Sequence, residues 1–330
     1  MASVTVQRVE GKPTPARVAI VGLGVVGEWV LRRLARDDFR VVAAANRSGL
    51  VLREEGFEAE ELLGGSMADL DEVSRWPTAR EGLRALDMDI LIEVSQSPAE
   101  GEPGLSHIRE ALGCGIPVAT SNKWPVAVAG VELVELARAN GTHLRAESTV
   151  MSGTPVISSL TEGITGATPV RLRGIVNATV NFICSRVAEG ASYETALEEA
   201  KRIGLAEPDP SADVDGRDSV SKLMVLAALV FGVQLRVDDV ELRGLSEFDP
   251  EPGQRVREVM TLDPGAGRFN VETMPVAAED PLYGVDMANN VIVAEVDPIG
   301  EITIAGPGAG RDLAGQGVYS DLLRLAASRR

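Results

Sequence analysis

At 330 residues the chain is long for one hydrophobic core and comfortable for two. Its composition, 45% hydrophobic and 25% charged, is that of an ordinary globular protein and excludes disordered and fibrous classes. The formal charge of −17 leaves no excess of Lys and Arg, so neither nucleic acid nor an anionic membrane is an expected partner.

Residues 17–147 alternate short apolar runs with amphipathic stretches. The segments 17–22 (RVAIVG), 39–45, 90–94, 117–120 and 143–147 read as strands, with helices over 25–36, about 102–113 and about 130–139. Such alternation predicts an α/β fold, a Rossmann-type doubly wound parallel sheet covered on both faces. Residues 51–80 are expected to hold an irregular crossover. After Glu147 the pattern changes: helices at about 181–189, 193–203 and 216–231 mix with strands at 171–176, 291–296 and 302–305, as in an α+β substrate domain. A last helix over about 314–327 is expected to return to the first domain. The expected division is 1–147, 148–305 and a C-terminal segment 306–330.

The longest apolar stretch, Leu223 to Phe231, is shorter than the ~20 residues of a membrane-spanning helix, and the N-terminus has no apolar run of a signal peptide. The two cysteines, Cys114 and Cys184, lack C-x-x-C spacing, so reduced thiols and a cytoplasmic chain are expected. His107 and His143 are the only histidines, which assigns acid–base chemistry to Lys, Asp, Glu or Tyr.

Between the first strand and helix lies Gly22-Leu-Gly24-Val25-Val26-Gly27. Gly22 permits the tight turn, Gly24 admits a pyrophosphate to the backbone, and Gly27 lets the helix pack on the strand. The phosphates would sit on the helix N-terminus at Val25 and Val26, where unpaired N–H groups and the dipole favour negative charge. A G-x-G-x-x-G alone is weak, but here it stands at the strand-to-helix junction of the first β-α-β unit. At the end of the second strand, where NAD enzymes usually carry Asp or Glu for the ribose 2′-hydroxyl, the sequence reads Ala45-Asn46-Arg47-Ser48. A guanidinium there suits a 2′-phosphate and favours NADP over NAD; the alternative is a solvated loop arginine.

Residues 204–222 hold the densest set of chemistry-bearing side chains: Glu207, Asp209, Asp213, Asp215, Asp218 and Lys222. Asp218 and Lys222 are four residues apart and share one helix face. Spacing leaves two readings open. An acidic loop and a lysine at the mouth of an apolar helix could bind an ammonium group and protonate an oxygen, or the pair is an exposed ion pair worth ~0.3–0.5 kcal/mol.

These stretches resemble the homoserine dehydrogenase family: 18–27 (VAIVGLGVVG), 115–127 (GIPVATSNKWPVA), 147–157 (ESTVMSGTPVI), 174–183 (GIVNATVNFI), 204–222 and 306–310 (GPGAG), in family order over nearly the whole chain. The resemblance implies reversible, nicotinamide-dependent reduction of L-aspartate 4-semialdehyde to L-homoserine, a step toward threonine, isoleucine and methionine. It implies that Lys222 is the general acid/base with Lys123 near the reacting carbonyl, and that Glu207, Asp218 and Asp213 hold the substrate. Ser95, Lys123, Gly204 and Gly310 would lie at the cofactor. Backbone carbonyls of Glu147, Val150, Ser152 and Thr154 would match a monovalent-cation loop for Na+ or K+. A homodimer built through the second domain is also implied, and the chain ends before the point where many relatives carry a regulatory domain. Three positions depart from the family: Leu205 replaces a tyrosine, residues 177–182 read NATVNF for NGTTNY, and 311–317 lack a threonine-rich run. Leu205 motivates an alternative enzyme acting on another small amino-acid-like aldehyde or alcohol. A non-catalytic cofactor sensor is a third reading, opposed by the retained set of Glu207, Asp218, Lys123 and Lys222.

Overall fold

The structure, a computed structural model, describes residues 15–34, 39–71, 73–84, 86–206, 209–248 and 253–328. β1 (Ala16–Val21) has five of its six residues buried, as fits a central strand covered on both faces. It runs parallel to β2 (Phe39–Asn46) through the connecting α1 (Val25–Leu34). Then come β3 (Gly49–Leu52), α2 (Ala59–Leu63), β4 (Ser74–Trp76) and α3 (Ala79–Leu83), before β5 (Ile90–Glu93) takes the other edge of β1. α4 (Gly104–Gly113), β6 (Val118–Thr120), α5 (Lys123–Ala139) and β7 (Leu144–Arg145) complete a seven-stranded sheet of order β4-β3-β2-β1-β5-β6-β7. The strand order reverses at β1, so a crevice opens beyond the carboxyl ends of β1 and β5. In place of the expected irregular crossover, β3 and β4 extend the sheet as an antiparallel edge.

α6 (Ser148–Met151) and α7 (Ile157–Thr161) lead to β8 (Thr168–Ile175), α8 (Ala178–Ala188), α9 (Tyr193–Arg202), α10 (Ser211–Val214) and α11 (Arg217–Phe231). β9 (Glu241–Arg243), β10 (Val256–Asp263), β11 (Arg268–Pro275), β12 (Asn289–Asp297) and β13 (Gly300–Pro307) then join β8 in a six-stranded sheet of order β13-β12-β8-β10-β11-β9. The chain ends in α12 (Arg311–Ala327), which packs back on α1: Gly315 leaves room for the Trp29 ring, and Arg33 stacks over Tyr319 at 4.9 Å. The β10–β11 hairpin was not anticipated from sequence, because Arg257 and Glu258 interrupt its apolar pattern; both are nonetheless buried.

The two halves meet where α11 lies on α5. A Cβ on Gly130 would stand 2.7 Å from the Cβ of Ala228, so glycine is what permits this approach. α5 begins at Lys123 rather than near 130, since Pro125 is tolerated in a first turn. It kinks at Ala129, where the backbone leaves helical geometry. Such a kink frees the Ala127 carbonyl and the Val131 N–H from one another, and Gln234 satisfies both: its Nε2 donates to Ala127 O at 2.7 Å and its Oε1 accepts from Val131 N at 3.3 Å.

Beneath the first turn of α11, Glu258 of β10 accepts a 2.5 Å hydrogen bond from the Ser219 hydroxyl, and its second oxygen has no partner among the described residues. Burial pushes this carboxyl from 4.5 up to about 8, with the nearby Asp218 charge adding to the shift. The folded chain therefore keeps a proton that the unfolded chain loses, and stability falls as pH rises through that interval. Glu258→Gln removes this loss. Melting temperatures of the variant should decline less between pH 5 and 8 than those of the parent, which forfeits up to ~1.4 kcal/mol per pH unit from this group; parallel curves would contradict it.

Candidate active site

The glycine turn closes β1 onto α1. Gly22 has φ +106°, and a Cβ there would lie 2.6 Å from the Ser95 nitrogen; one on Gly27 would lie 2.0 Å from the Gly22 carbonyl oxygen. Gly24, by contrast, faces open space, with no atom within 4 Å of an added Cβ. A side chain at 24 would therefore fill the groove itself, so the turn fits a diphosphate at the N-terminus of α1. That groove, about 960 Å³, runs past Gly22, Gly24, Val25, Val26 and Arg47 to Ser95 and His107. Arg47 stands in the turn between β2 and β3, where Asn46 Oδ1 accepts from the Ser48 N–H at 2.8 Å. Its side chain is exposed and forms no ion pair among the described residues.

A second opening of about 690 Å³ shares Val26, Arg47 and Ser95 with the groove and continues to Lys123, Asp218 and Lys222. Here the two halves of the molecule meet chemically. Lys123, the first residue of α5, is paired with Oδ1 of Asp218 in the first turn of α11. Lys222, one turn further along α11, reaches Oδ2 of the same carboxylate at 2.8 Å and donates to the Val176 carbonyl at 2.6 Å. Lys222 and Asp218 are 12% and 13% exposed, so this is not a solvated surface pair. Burial alone would push the Asp218 carboxyl up, but Lys222 and then Lys123 overcome it and hold the acid well below the usual carboxylate range.

Asp213 stands behind this trio, half-buried, accepting from Asn177 Nδ2 at 3.2 Å. Desolvation pushes its carboxyl up, and the Asp218 charge adds to that. Asn177 also caps α8 through the Val180 N–H, and Thr179 donates to the Leu205 carbonyl at 3.2 Å. Asn before an apolar helix is a capping signal that could have singled out Asn177, whereas the Thr179 bond to Leu205, 26 residues away, has no local signal. Glu207 lies outside the described residues. Gly204 forms the left-handed turn after α9 (φ +73°) and is not part of either lining, whereas Gly310 opens α12 two residues beyond Gly308, which is.

The segment 147–154 forms a tight reversal under the opening. Val150 and Ser152 line it; Ser152 adopts φ +52°, its hydroxyl donating to Gly308 O at 3.1 Å, while Thr154 donates to Pro307 O at 3.2 Å. The side chain of Glu147 caps α7 through the Ile157 and Ser158 N–H groups at 2.7 and 2.9 Å. Its backbone N–H is held by Asp321 of α12, an acid that burial pushes up to about 7. No sequence signal distinguished Asp321, because its partner is 174 residues away.

A glycine-rich turn at a sheet switch point, joined to an opening that presents two lysines across one carboxylate, defines a nicotinamide-dinucleotide-dependent oxidoreductase. Residues 155–323 match the family described as "Homoserine dehydrogenase", and residues 22–147 match "Homoserine dehydrogenase, NAD binding domain". The chain is 30% identical to a homoserine dehydrogenase of Methanocaldococcus jannaschii, over 95% of its own length and 99% of that protein. It is likewise 30% identical to an NAD(+)-dependent homoserine dehydrogenase of Pseudomonas canavaninivorans, over 96% and 97%. Among solved structures, a hyperthermophilic archaeal homoserine dehydrogenase in complex with NADPH superposes with a TM-score of 0.82 at 29% identity, covering 95% of this chain and 98% of that one. The chain belongs to the homoserine dehydrogenase family, NAD(P)-dependent oxidoreductases that interconvert L-aspartate 4-semialdehyde and L-homoserine.

Proposed function

We propose that this chain carries out its family's reaction in the opening between α5 and α11, with Lys222 and Lys123 handling the proton and Asp218 and Asp213 ordering the substrate side. The observation that carries this is the shared carboxylate. An ammonium has three N–H donors. Lys222 engages two, on Asp218 and Val176, which leaves one for a substrate oxygen, and Lys123 engages one on Asp218. Bound nicotinamide supplies or takes the hydride. As negative charge grows on the aldehyde oxygen, the two ammonium groups stand ready to stabilise it, and one proton passes from a lysine Nζ to that oxygen. In the oxidative direction the same Nζ receives the hydroxyl proton. Glu207, outside the described residues, belongs to this reading as a partner for the substrate amino group, as the family resemblance implies.

NADP preference is part of the proposal and is supported by the exposed guanidinium of Arg47 just after β2, which forms no ion pair among the described residues. Gly22, Gly24, Gly27, Val25, Val26 and Ser95 would hold the dinucleotide, with Gly204 and Gly310 approaching from the other side. Carbonyls of Glu147, Val150, Ser152 and Thr154 would take Na+ or K+, a role supported by the tight reversal at Ser152. Division at 147/148, with 306–330 returning to the first half, is supported by the two separate sheets and by the packing of α12 on α1. A homodimer through the second domain and a cytoplasmic setting with Cys114 and Cys184 as free thiols complete the reading.

In a spectrophotometric assay, L-homoserine should drive reduction of NADP, and Lys222→Ala should lower kcat by about 10²-fold or more with cofactor affinity largely kept. Robust turnover of a three- to five-carbon analogue without homoserine turnover would transfer the site to the alternative aldehyde or alcohol. Arg47→Asp should selectively weaken use of NADP by about tenfold or more while sparing NAD. Unchanged NADP preference would mean that the 2′-phosphate is read elsewhere.

A further inference from the structure

Glu93 ends β5 with no exposed surface, in the wall shared by the groove and the opening, and nothing in the reaction above uses it. A buried carboxylate is costly unless donors meet it. Glu93 has four. Its Oε1 accepts from the Ser95 N–H at 3.0 Å, from the Ser95 hydroxyl, and from Asn122 Nδ2 at 3.4 Å. Its Oε2 meets His107 Nδ1 at 2.8 Å, with the proton on Nδ1 as a carboxylate partner requires. The Glu93 carbonyl accepts from the Thr120 hydroxyl at 2.6 Å, and that hydroxyl accepts from the Asn122 N–H at 2.9 Å.

One residue therefore ties together three segments that border the site. Ser95 lies in the loop after β5 and lines both openings; His107 sits in the first turn of α4 and lines the dinucleotide groove; Asn122 occupies the N-cap position of α5, immediately before Lys123, with its side chain turned to Glu93 and Ser97. A tie needed for folding alone could be made by apolar side chains in this water-poor wall. A carboxylate and an imidazole instead fix direction, because each hydrogen bond sets an angle as well as a distance.

We propose that Glu93 and His107 are positioning residues that hold Ser95 and the Asn122–Lys123 corner against the nicotinamide end of the bound cofactor, and so immobilise its ring for hydride transfer. The proposal rests on the nicotinamide-dependent reading above. Neither residue delivers a proton; both act through Ser95 and Asn122.

Full-length Glu93→Gln, His107→Leu and His107→Gln are compared by melting temperature, NADPH titration, fluorescence lifetime of the bound reduced nicotinamide, and homoserine kinetics. Glutamine at 93 keeps the volume and an acceptor for Ser95, and should fold; if it does not, the two His107 variants carry the test. Glycine-turn contacts persist in all three, so NADPH affinity should stay within about threefold of the parent. Glu93→Gln and His107→Leu should shorten the bound-state lifetime toward that of a mobile ring and lower kcat by about tenfold with a smaller change in KM. His107→Gln restores a donor to Glu93 and should recover most of the lifetime. Parent-like lifetimes in folded Glu93→Gln and His107→Leu would overturn the proposal, whatever their melting temperatures. Absence of homoserine turnover in the parent would count against the substrate reading alone, since the lifetime reports ring immobilisation without any substrate.

Discussion

The site depends on one carboxylate shared by two ammonium groups. Lys123 is the first residue of α5, where the positive end of the helix dipole opposes a cation. Asp218 in the first turn of α11 supplies the compensating charge, and it also pairs with Lys222 a turn later. Without Asp218, two ammonium groups would face each other in a largely buried setting, where like charges repel strongly. The trio forms only because α5 and α11 lie side by side. That packing rests in turn on a glycine at 130 facing Ala228 and on Gln234 satisfying the broken turn of α5. The geometry of this trio is a consequence of helix packing between the two halves.

The same arrangement solves an electrostatic problem. The chain carries a formal charge of −17, yet its cofactor and substrate are themselves anionic or zwitterionic. Among the described residues lining the opening, Arg47, Lys123 and Lys222 outnumber the single acid Asp218, so its wall carries an excess of cations although the whole chain is acidic. Acidic residues near the site are kept close to their partners: Asp218 between lysines, Asp213 against Asn177, and Glu93 among four donors. Buried Glu258 has one donor among the described residues, Ser219, and it is the one whose proton stays on to about pH 8.

Much of this was legible in the sequence, for reasons of locality. A glycine turn between a strand and a helix, and an acid four residues before a lysine, are short-range patterns whose geometry is fixed by the elements that carry them. The central parallel strands were legible because burial on both faces leaves uninterrupted apolar runs. What escaped had non-local or masked causes. The β10–β11 hairpin hid behind Arg257 and Glu258: the guanidinium is made tolerable in the core by Asp286, and the carboxyl by keeping its proton. The start of α5 hid behind Pro125. Glu93 and His107 are 14 residues apart on different elements, and Glu147 meets Asp321 across 174, separations at which no periodicity carries information. The lysine pair itself was legible as two separate motifs, while their convergence on one acid 95 residues from Lys123 was not.

The central proposal is that Lys123, Asp218 and Lys222 act as one unit on a substrate oxygen, and a crystal structure of the protein with NADP+ and L-homoserine addresses it most directly. The expected result is a homoserine hydroxyl within about 3.2 Å of a lysine Nζ, with Asp218 still bridging the two side chains. A bound homoserine whose hydroxyl lies against other groups, with both lysines turned away from it, would refute the assignment.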